Sequence, residues 1–125
     1  VPHDASYLAL NSEKLHELVS VYWDPSCLYG YGANKKPEKP GGGDSFPDCD
    51  DYADIAVADV LRGAIREGLA GPPLFRAADI DREDGTGLHR LCWAISAVDC
   101  LELFEPQTGK WEELDIVRKY LAVNA

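Results

Sequence analysis

The chain has 125 residues, 46% of them hydrophobic and 27% charged, which indicates one folded domain over 1–125 rather than a disordered segment. Its net charge of −10 argues against nucleic acid and anionic membranes as partners, because both bind basic surfaces, and it suits cation binding. No apolar run approaches the roughly 20 residues of a membrane span, and no signal peptide is recognisable. The chain begins at Val1 and lacks methionine, as expected of a processed or excised piece; we expect a cytoplasmic or non-classically secreted protein.

Two helices are predicted in the first half of the chain. The first begins at Asn11 or Ser12, either of which can cap it, and ends near Tyr22. Residues 30–47 contain eight glycines or prolines and are interpreted as a surface loop. The second helix follows Cys49 and should run to Leu69, ended by Gly71-Pro72-Pro73. Small and apolar residues recur at steps of three and four: Ala53, Ala56, Val57, Val60, Leu61, Ala64, Ile65, Gly68 and Leu69.

The second half of the chain alternates like β-structure and ends in a helical pattern. The predicted elements are a strand over Leu74–Ile80, an acidic loop over Asp81–Gly87, strands over Leu88–Ile95 and Cys100–Phe104, a turn over Pro106–Gly109, and a helix over Glu112–Val123. This order predicts an α+β domain in which the helix that follows Cys49 packs on a small antiparallel sheet. Cys92 and Cys100 are interpreted as buried small hydrophobic residues.

Cys49 stands directly before a helix, between acidic residues. The helix dipole and unpaired N–H groups there favour the thiolate, the form that attacks carbonyl carbons. Asp50 and Asp51 oppose this effect because negative charge raises a thiol pKa. A hard cation such as Ca²⁺ bound by these two carboxylates would offset their charge. The motif therefore predicts a nucleophile whose activation depends on metal.

His89 and Glu105 are the predicted partners of Cys49. If the hairpin turns at Ala97 and Val98, His89 lies opposite Glu105 or Pro106. In the register where paired residue numbers sum to 194, His89 and Glu105 are direct partners on one face. A carboxylate at that position can fix the imidazole tautomer, as in a nucleophile–base–orienter arrangement. His3, near the terminus, and His16, which lacks a matched carboxylate, are weaker candidates for the base.

Each of these residues also has a structural interpretation. A cysteine that opens a helix is often only packed, and a histidine in an apolar strand is often a satisfied core residue. The acidic residues around Cys49 can stabilise a helix N-terminus without a metal. Residues 79–90 imitate the start of an EF-hand, but Asp84 occupies the position that requires glycine and Arg90 the position of the bidentate glutamate, so we reject that motif.

Three segments resemble the C-terminal domain of fungal chimerolectins, the Marasmius oreades agglutinin family. These segments are Asp48-Cys49-Asp50-Asp51-Tyr52-Ala53, His89 with Trp93, and Glu105-Pro106-Gln107-Thr108-Gly109. The resemblance covers the chain from about Trp23 to its end. It implies a papain-like, calcium-dependent cysteine protease in which Cys49 is the nucleophile, His89 the general base and acid, and Glu105 the orienter. It also implies that Asp50 and Asp51 bind calcium.

The chain departs from the family pattern in three respects. QxW-type lectin repeats are absent, and no glutamine precedes Cys49 to form the oxyanion hole usual in papain-like enzymes. The backbone N–H of Cys49 and the side chain of Gln107 are the remaining candidates for that role. Calcium takes six to eight oxygens, more than two aspartates supply, so Asp48, Asp54, backbone carbonyls or water must complete the shell. The cysteine motif also resembles bacterial transglutaminase-like proteinases and cell-wall peptidases, which the Glu105 segment fits less well.

The preferred hypothesis is a Ca²⁺-dependent cysteine endopeptidase that acts on a peptide or protein substrate. The alternatives are a non-catalytic module for calcium binding or homodimer formation, in which the cysteine is inert, and an acyl-transfer enzyme using the same thioester. Iodoacetamide labelling at mildly acidic pH distinguishes a reactive thiolate from an inert thiol. Amine incorporation distinguishes transfer from hydrolysis.

Overall fold

A computed structural model describes residues 7–28, 47–81 and 88–112. The elements in chain order are α1 (Ser12–Tyr22), a 3₁₀ turn (Pro25–Leu28), α2 (Cys49–Arg66), β1 (Phe75–Asp81), β2 (Leu88–Ile95), β3 (Leu101–Glu105) and β4 (Lys110–Trp111). The predicted α+β class with an antiparallel sheet is confirmed. His3, most of the two predicted loops and the predicted final helix beyond its first residue, Glu112, lie outside the described residues.

Helix α1 has the bounds that the sequence predicts. The side chain of Asn11 accepts a hydrogen bond of 2.8 Å from the N–H of Lys14, so Asn11 rather than Ser12 is the N-cap. Trp23 is the C-cap, and its N–H donates to the carbonyl of Val19. The apolar face of the helix is buried, with Leu15, Leu18 and Val19 in the main core.

Helix α2 begins at Cys49 and ends at Arg66, three residues before the predicted end. At its start the Asp51 carboxylate accepts a hydrogen bond of 3.0 Å from the N–H of Asp48, one arm of a capping box. At its end Gly68 has φ +69°, and the N–H groups of Gly68 and Leu69 return to the carbonyls of Ile65 and Ala64. This Schellman motif ends the helix before Gly71-Pro72-Pro73 is reached.

The four strands form one antiparallel sheet in the order β1-β2-β3-β4. Both helices pack on one face of the sheet, and the main core lies between the helices and the sheet. A smaller apolar cluster of Ile80, Leu91 and Leu103 occupies the other face. Within the described residues no helix has both the length and the apolar character needed to span a bilayer.

The β2–β3 hairpin pairs in a register two residues away from the predicted one. Cys92 lies opposite Phe104, so paired numbers sum to 196 and not 194. The hairpin closes over Ser96–Cys100, where Asp99 adopts φ 57° and the N–H of Ser96 donates to the carbonyl of Cys100 at 3.1 Å. The turn is therefore centred on Val98. Cys100 lies in this turn and is exposed, contrary to prediction, whereas Cys92 is buried.

Candidate functional site

His89 and Glu105 form a buried hydrogen-bonded pair. Nε2 of the imidazole is bonded to Oε2 of the carboxylate, and both residues are 3% exposed. They are diagonal neighbours and not the direct partners that the sequence predicts, because the register differs by two. A shift of two residues preserves the face to which each side chain points, whereas a shift of one would have separated them. The two side chains are therefore in contact, as predicted, although the predicted register is wrong.

The carboxylate of Glu105 is held by its own turn. Oε1 accepts a hydrogen bond of 3.1 Å from the N–H of Gln107, and the Glu105 carbonyl accepts one of 2.8 Å from the N–H of Gly109. An ionised carboxylate only accepts hydrogen bonds, so this bonding assigns the imidazole proton to Nε2. Nδ1 of His89 is buried and has no hydrogen-bond partner among the described residues. The ring therefore presents an unpaired basic nitrogen.

Cys49 reaches β2 at the residue that follows His89. The N–H of Arg90 donates to Sγ at 3.5 Å, and the thiol donates to Oδ1 of Asp50 at 3.6 Å. The β2–β3 ladder ends at the Cys92–Phe104 pair, which leaves the N–H of Arg90 free for the sulfur. Among the described residues, the thiol of Cys49 makes no hydrogen bond to the imidazole of His89. The structure thus joins His89 to Glu105 directly, and brings Cys49 to the adjacent backbone.

The surroundings of the thiol favour its neutral form. Burial raises the pKa of Cys49, the hydrogen bond from the N–H of Arg90 lowers it, and the negative charges of Asp50 and Asp48 raise it further, with a net upward shift. The pKa of Asp48 is also raised, first by burial and then by interaction with Asp51 and Asp50. The sequence predicts that the helix start lowers the pKa of Cys49 and that the acidic residues raise it. The net upward shift means that the neutral thiol is favoured over the thiolate.

The start of α2 carries the carboxylates for which the sequence predicts calcium binding. Asp50 and Asp51 lie in the first turn beside Asp48, and hard oxygen ligands of this kind suit Ca²⁺. Asp51 is engaged with the N–H of Asp48, and Asp50 accepts the thiol proton. Among the residues that the structure describes, no three acidic, histidine or cysteine side chains are grouped so as to hold a metal ion. Further ligands would have to come from backbone carbonyls, water or residues outside the described ranges.

His16 has a carboxylate partner that the sequence did not reveal. Its Nε2 lies 2.7 Å from Oε1 of Glu102, and its ring stacks on Trp111 with centroids 3.9 Å apart. The prediction that His16 lacks a matched carboxylate is therefore wrong, because Glu102 lies 86 positions away in sequence and meets α1 only in the folded chain. Ser12 also donates to Glu102, at 3.1 Å. This cluster joins α1 to β3 and β4.

Arg90 and Trp23 contact the site and were not singled out from sequence. The Arg90 guanidinium bonds Asp54 of α2 at 2.9 Å and Asp79 of β1 at 3.1 Å, so it ties the helix of Cys49 to the sheet. The indole N–H of Trp23 donates to the carbonyl of Pro106 at 2.9 Å. A charged residue inside an otherwise apolar strand was a usable signal for Arg90. No pattern near Trp23 indicates its contact.

The comparisons with known proteins reveal structural relatives only. No protein-family profile matches the chain, and no curated protein matches it. A crystal structure of the Polyporus squamosus lectin bound to a human-type influenza-binding epitope matches with TM-score 0.61 and 18% identity over 89% of this chain and 36% of that one. A structure titled "PSL1a-E64 complex" matches with TM-score 0.55 and 20% identity over 85% of this chain and 34% of that one. The chain thus spans about a third of these neighbours and shares their fold in that part.

Proposed function

We propose that this chain is a papain-like cysteine endopeptidase domain whose activity depends on calcium. The observation that carries the proposal is the buried His89–Glu105 pair, whose Nδ1 is unpaired while the thiol of Cys49 lies against the next residue of the same strand. A carboxylate–imidazole pair that leaves one ring nitrogen basic, beside a cysteine at a helix start, is the arrangement required for nucleophilic catalysis by a thiolate.

In this proposal each of the three residues has a separate role. Glu105 holds the Nε2–H tautomer of His89, so that Nδ1 takes the proton of the Cys49 thiol. The thiolate attacks the peptide carbonyl carbon, and the C–N bond breaks as the imidazolium returns a proton to the leaving amine. A thioester with Cys49 remains. His89 then removes a proton from water, which attacks the thioester and releases the acid and the thiol. The N–H of Cys49 and the side chain of Gln107 are the candidate oxyanion donors.

Activation in this scheme requires the thiol to leave Asp50 for the imidazole. The thiol now donates to that carboxylate, whose charge also raises the thiol pKa. A divalent cation bound to Asp50 and Asp51 would supply positive charge that offsets both carboxylates and occupies oxygens that now accept protons. In this scheme the thiol of Cys49 exchanges the Asp50 carboxylate for the His89 imidazole as its proton acceptor.

The decisive experiment measures cleavage of a denatured protein substrate with calcium and with a chelator. We expect fragments with calcium, none with the chelator, and none from Cys49→Ala with calcium. Cys27→Ala and Cys100→Ala are matched controls, because both thiols are exposed and lie outside the site, and both variants should cleave like the parent. Cleavage by Cys49→Ala would refute the proposal.

Active-site labelling with E64 tests the thiol separately. E64 carries an epoxide that thiolates open, and one of the structural neighbours is an E64 complex. We expect a single adduct on the intact protein in calcium, located at Cys49 by peptide mapping and lost in Cys49→Ala. Labelling confined to the exposed Cys27 and Cys100 would contradict the nucleophile assignment.

A second candidate function is a non-catalytic binding module in which Cys49 is inert. It is favoured by two features of Cys49: the residue is only 8% exposed, and the pKa of its thiol is raised. In that case iodoacetamide at mildly acidic pH leaves Cys49 unmodified even with calcium. Incorporation of a labelled amine into a glutamine-containing protein, without hydrolysis, would instead identify acyl transfer from the same thioester.

A further inference from the structure

Trp23 is a buried residue that is not one of the three proposed catalytic residues. It contacts the helix that begins with Cys49 and the turn that follows Glu105. It is 3% exposed, and its indole N–H donates to the carbonyl of Pro106 at 2.9 Å. Pro106 directly follows Glu105. The indole also lies edge-on to Tyr52 of α2, with ring centroids 6.2 Å apart, three residues after Cys49. One side chain therefore bridges the helix of the nucleophile and the turn of the carboxylate.

The peptide unit between Pro106 and Gln107 is hydrogen-bonded at both of its ends. Its carbonyl accepts from Trp23, and its N–H donates to Oε1 of Glu105 at 3.1 Å. Because a peptide unit is planar and trans, its C=O and N–H point in opposite directions, and fixing one fixes the other. A half-turn of this unit would leave the buried indole N–H unpaired and direct a carbonyl oxygen at a carboxylate.

We propose that Trp23 is a positioning residue that holds the Glu105 carboxylate on His89 through the Pro106–Gln107 peptide unit. The inference rests on the proposed function, in which that carboxylate orients the general base. Indole, peptide unit, carboxylate and imidazole form one continuous series of hydrogen bonds, in which each bond polarises the next. Burial of every member keeps water from substituting for the missing donor when one is removed.

The test replaces Trp23 with 3-benzothienylalanine, in which sulfur takes the place of the indole N–H and the bicyclic ring is retained. The readout is the ¹⁵N spectrum of the histidine rings, which reports the ratio of the two imidazole tautomers without any substrate. The chain contains three histidines, and the signal of His89 is the one lost in His89→Gln. We expect the Nε2–H to Nδ1–H ratio of His89 to fall about fivefold, the effect of losing one hydrogen bond from the series.

Three single variants and one combination complete the design. Glu105→Ala should lower the same ratio, and adding the Trp23 replacement to Glu105→Ala should produce no further change, because Trp23 acts through that carboxylate. Trp111→Phe is the matched control: Trp111 stacks on His16, so this change should alter the signal of His16 and leave that of His89 unchanged. Trp23→Phe, which also shortens the ring, should reproduce the benzothienylalanine result if the donor is what matters.

An unchanged tautomer ratio in the benzothienylalanine variant overturns the inference, as does an unchanged ratio in Glu105→Ala or full additivity of the two changes. These measurements separate the inference from the proposed function. A protein without peptidase activity whose His89 tautomer still responds to Trp23 would refute the peptidase alone. Where activity is present, kcat should fall about fivefold with KM unchanged, because Trp23 does not touch substrate.

Discussion

The Cys49 thiol lies between an N–H donor on one side and a carboxylate acceptor on the other. The N–H of Arg90 stabilises negative charge on sulfur, while Asp50 accepts the thiol proton and repels the thiolate. Burial adds to the second effect, and the net result is a raised pKa. At neutral pH without metal, less of this cysteine is ionised than of an exposed one. Its reactivity should therefore rise with pH through a midpoint above the ordinary thiol range.

Removing the charge of Asp50 should lower that midpoint. In Asp50→Asn the amide keeps the shape of the carboxylate but not its charge, so the pKa of Cys49 falls and alkylation at a fixed neutral pH speeds up, by a fewfold to about tenfold. The measurement is the rate of iodoacetamide modification against pH, by mass spectrometry of the Cys49 peptide, in the presence of chelator. Asp59→Asn, on the same helix but remote from the thiol, should leave the midpoint unchanged. Equal midpoints for parent and Asp50→Asn would contradict the electrostatic account.

Sequence could predict residue contacts that depend on local rules, and could not predict those that depend on a distant backbone atom. Because side chains alternate along a strand, His89 and Glu105 stay on the same face when the register shifts by any even number of residues. The bond from Trp23 to the carbonyl of Pro106 joins residues 83 positions apart and has no periodicity to indicate it. The contact between His16 and Glu102 could not be predicted for the same reason.

At the scale of elements, α1 and α2 touch closely at Gly63. A Cβ built at this position would overlap the ring carbons Cγ and Cδ2 of Tyr22. Glycine in a helix interior normally costs stability relative to alanine. Here the missing side chain is what allows the two helices to approach, so the usual preference should be reversed.

Gly63→Ala should destabilise the protein by about 1–3 kcal/mol, since Tyr22 must move and α1 with it, and this overpacking exceeds the gain in helix propensity. The measurement is urea unfolding at equilibrium. Gly71→Ala is the control: its Cβ would meet Leu8 at 3.9 Å, an ordinary contact, and stability should change by less than about 0.5 kcal/mol. A Gly63→Ala protein as stable as the parent would mean that the helix pair adjusts freely.

The end of α2 and the centre of the hairpin illustrate why element boundaries escaped prediction. The apolar spacing continues through Leu69, but Gly68 adopts a left-handed conformation that closes the helix at Arg66. The turn of the hairpin contains no strong turn dipeptide, and Asp99 with φ 57° moves its centre to Val98. In both places a single left-handed residue overrides the hydrophobic pattern. The types and order of α1, α2, β1, β2 and β3 depended on that pattern and are confirmed, whereas the short strand β4 was not predicted.

At the scale of the whole molecule, the chain carries 22 acidic and 12 basic residues, so its folded state repels itself and attracts cations. The start of α2 concentrates this charge, with Asp48, Asp50 and Asp51 around one buried cysteine. Two of these carboxylates also favour the helix, because negative charge at an N-terminus interacts well with the dipole, by about 0.3–1 kcal/mol each. The same side chains thus serve the fold without metal and, in the proposed function, the site with metal.

Calcium should therefore raise the temperature of unfolding, and the two roles can be separated. A ligand that binds only the folded state at 100 times its dissociation constant adds about 2.7 kcal/mol, a rise on the order of 10 °C for a domain of this size. Asp50→Asn/Asp51→Asn should lower stability modestly in chelator, through the helix dipole, and should abolish the response to calcium. The measurement is differential scanning calorimetry at constant ionic strength. Glu13→Gln/Glu17→Gln removes the same charge from α1, and it should keep the full calcium response. A calcium response retained by Asp50→Asn/Asp51→Asn would exclude these carboxylates as its source and would indicate general screening, which acts on every acidic residue alike. No calcium response in the parent protein would contradict calcium binding altogether.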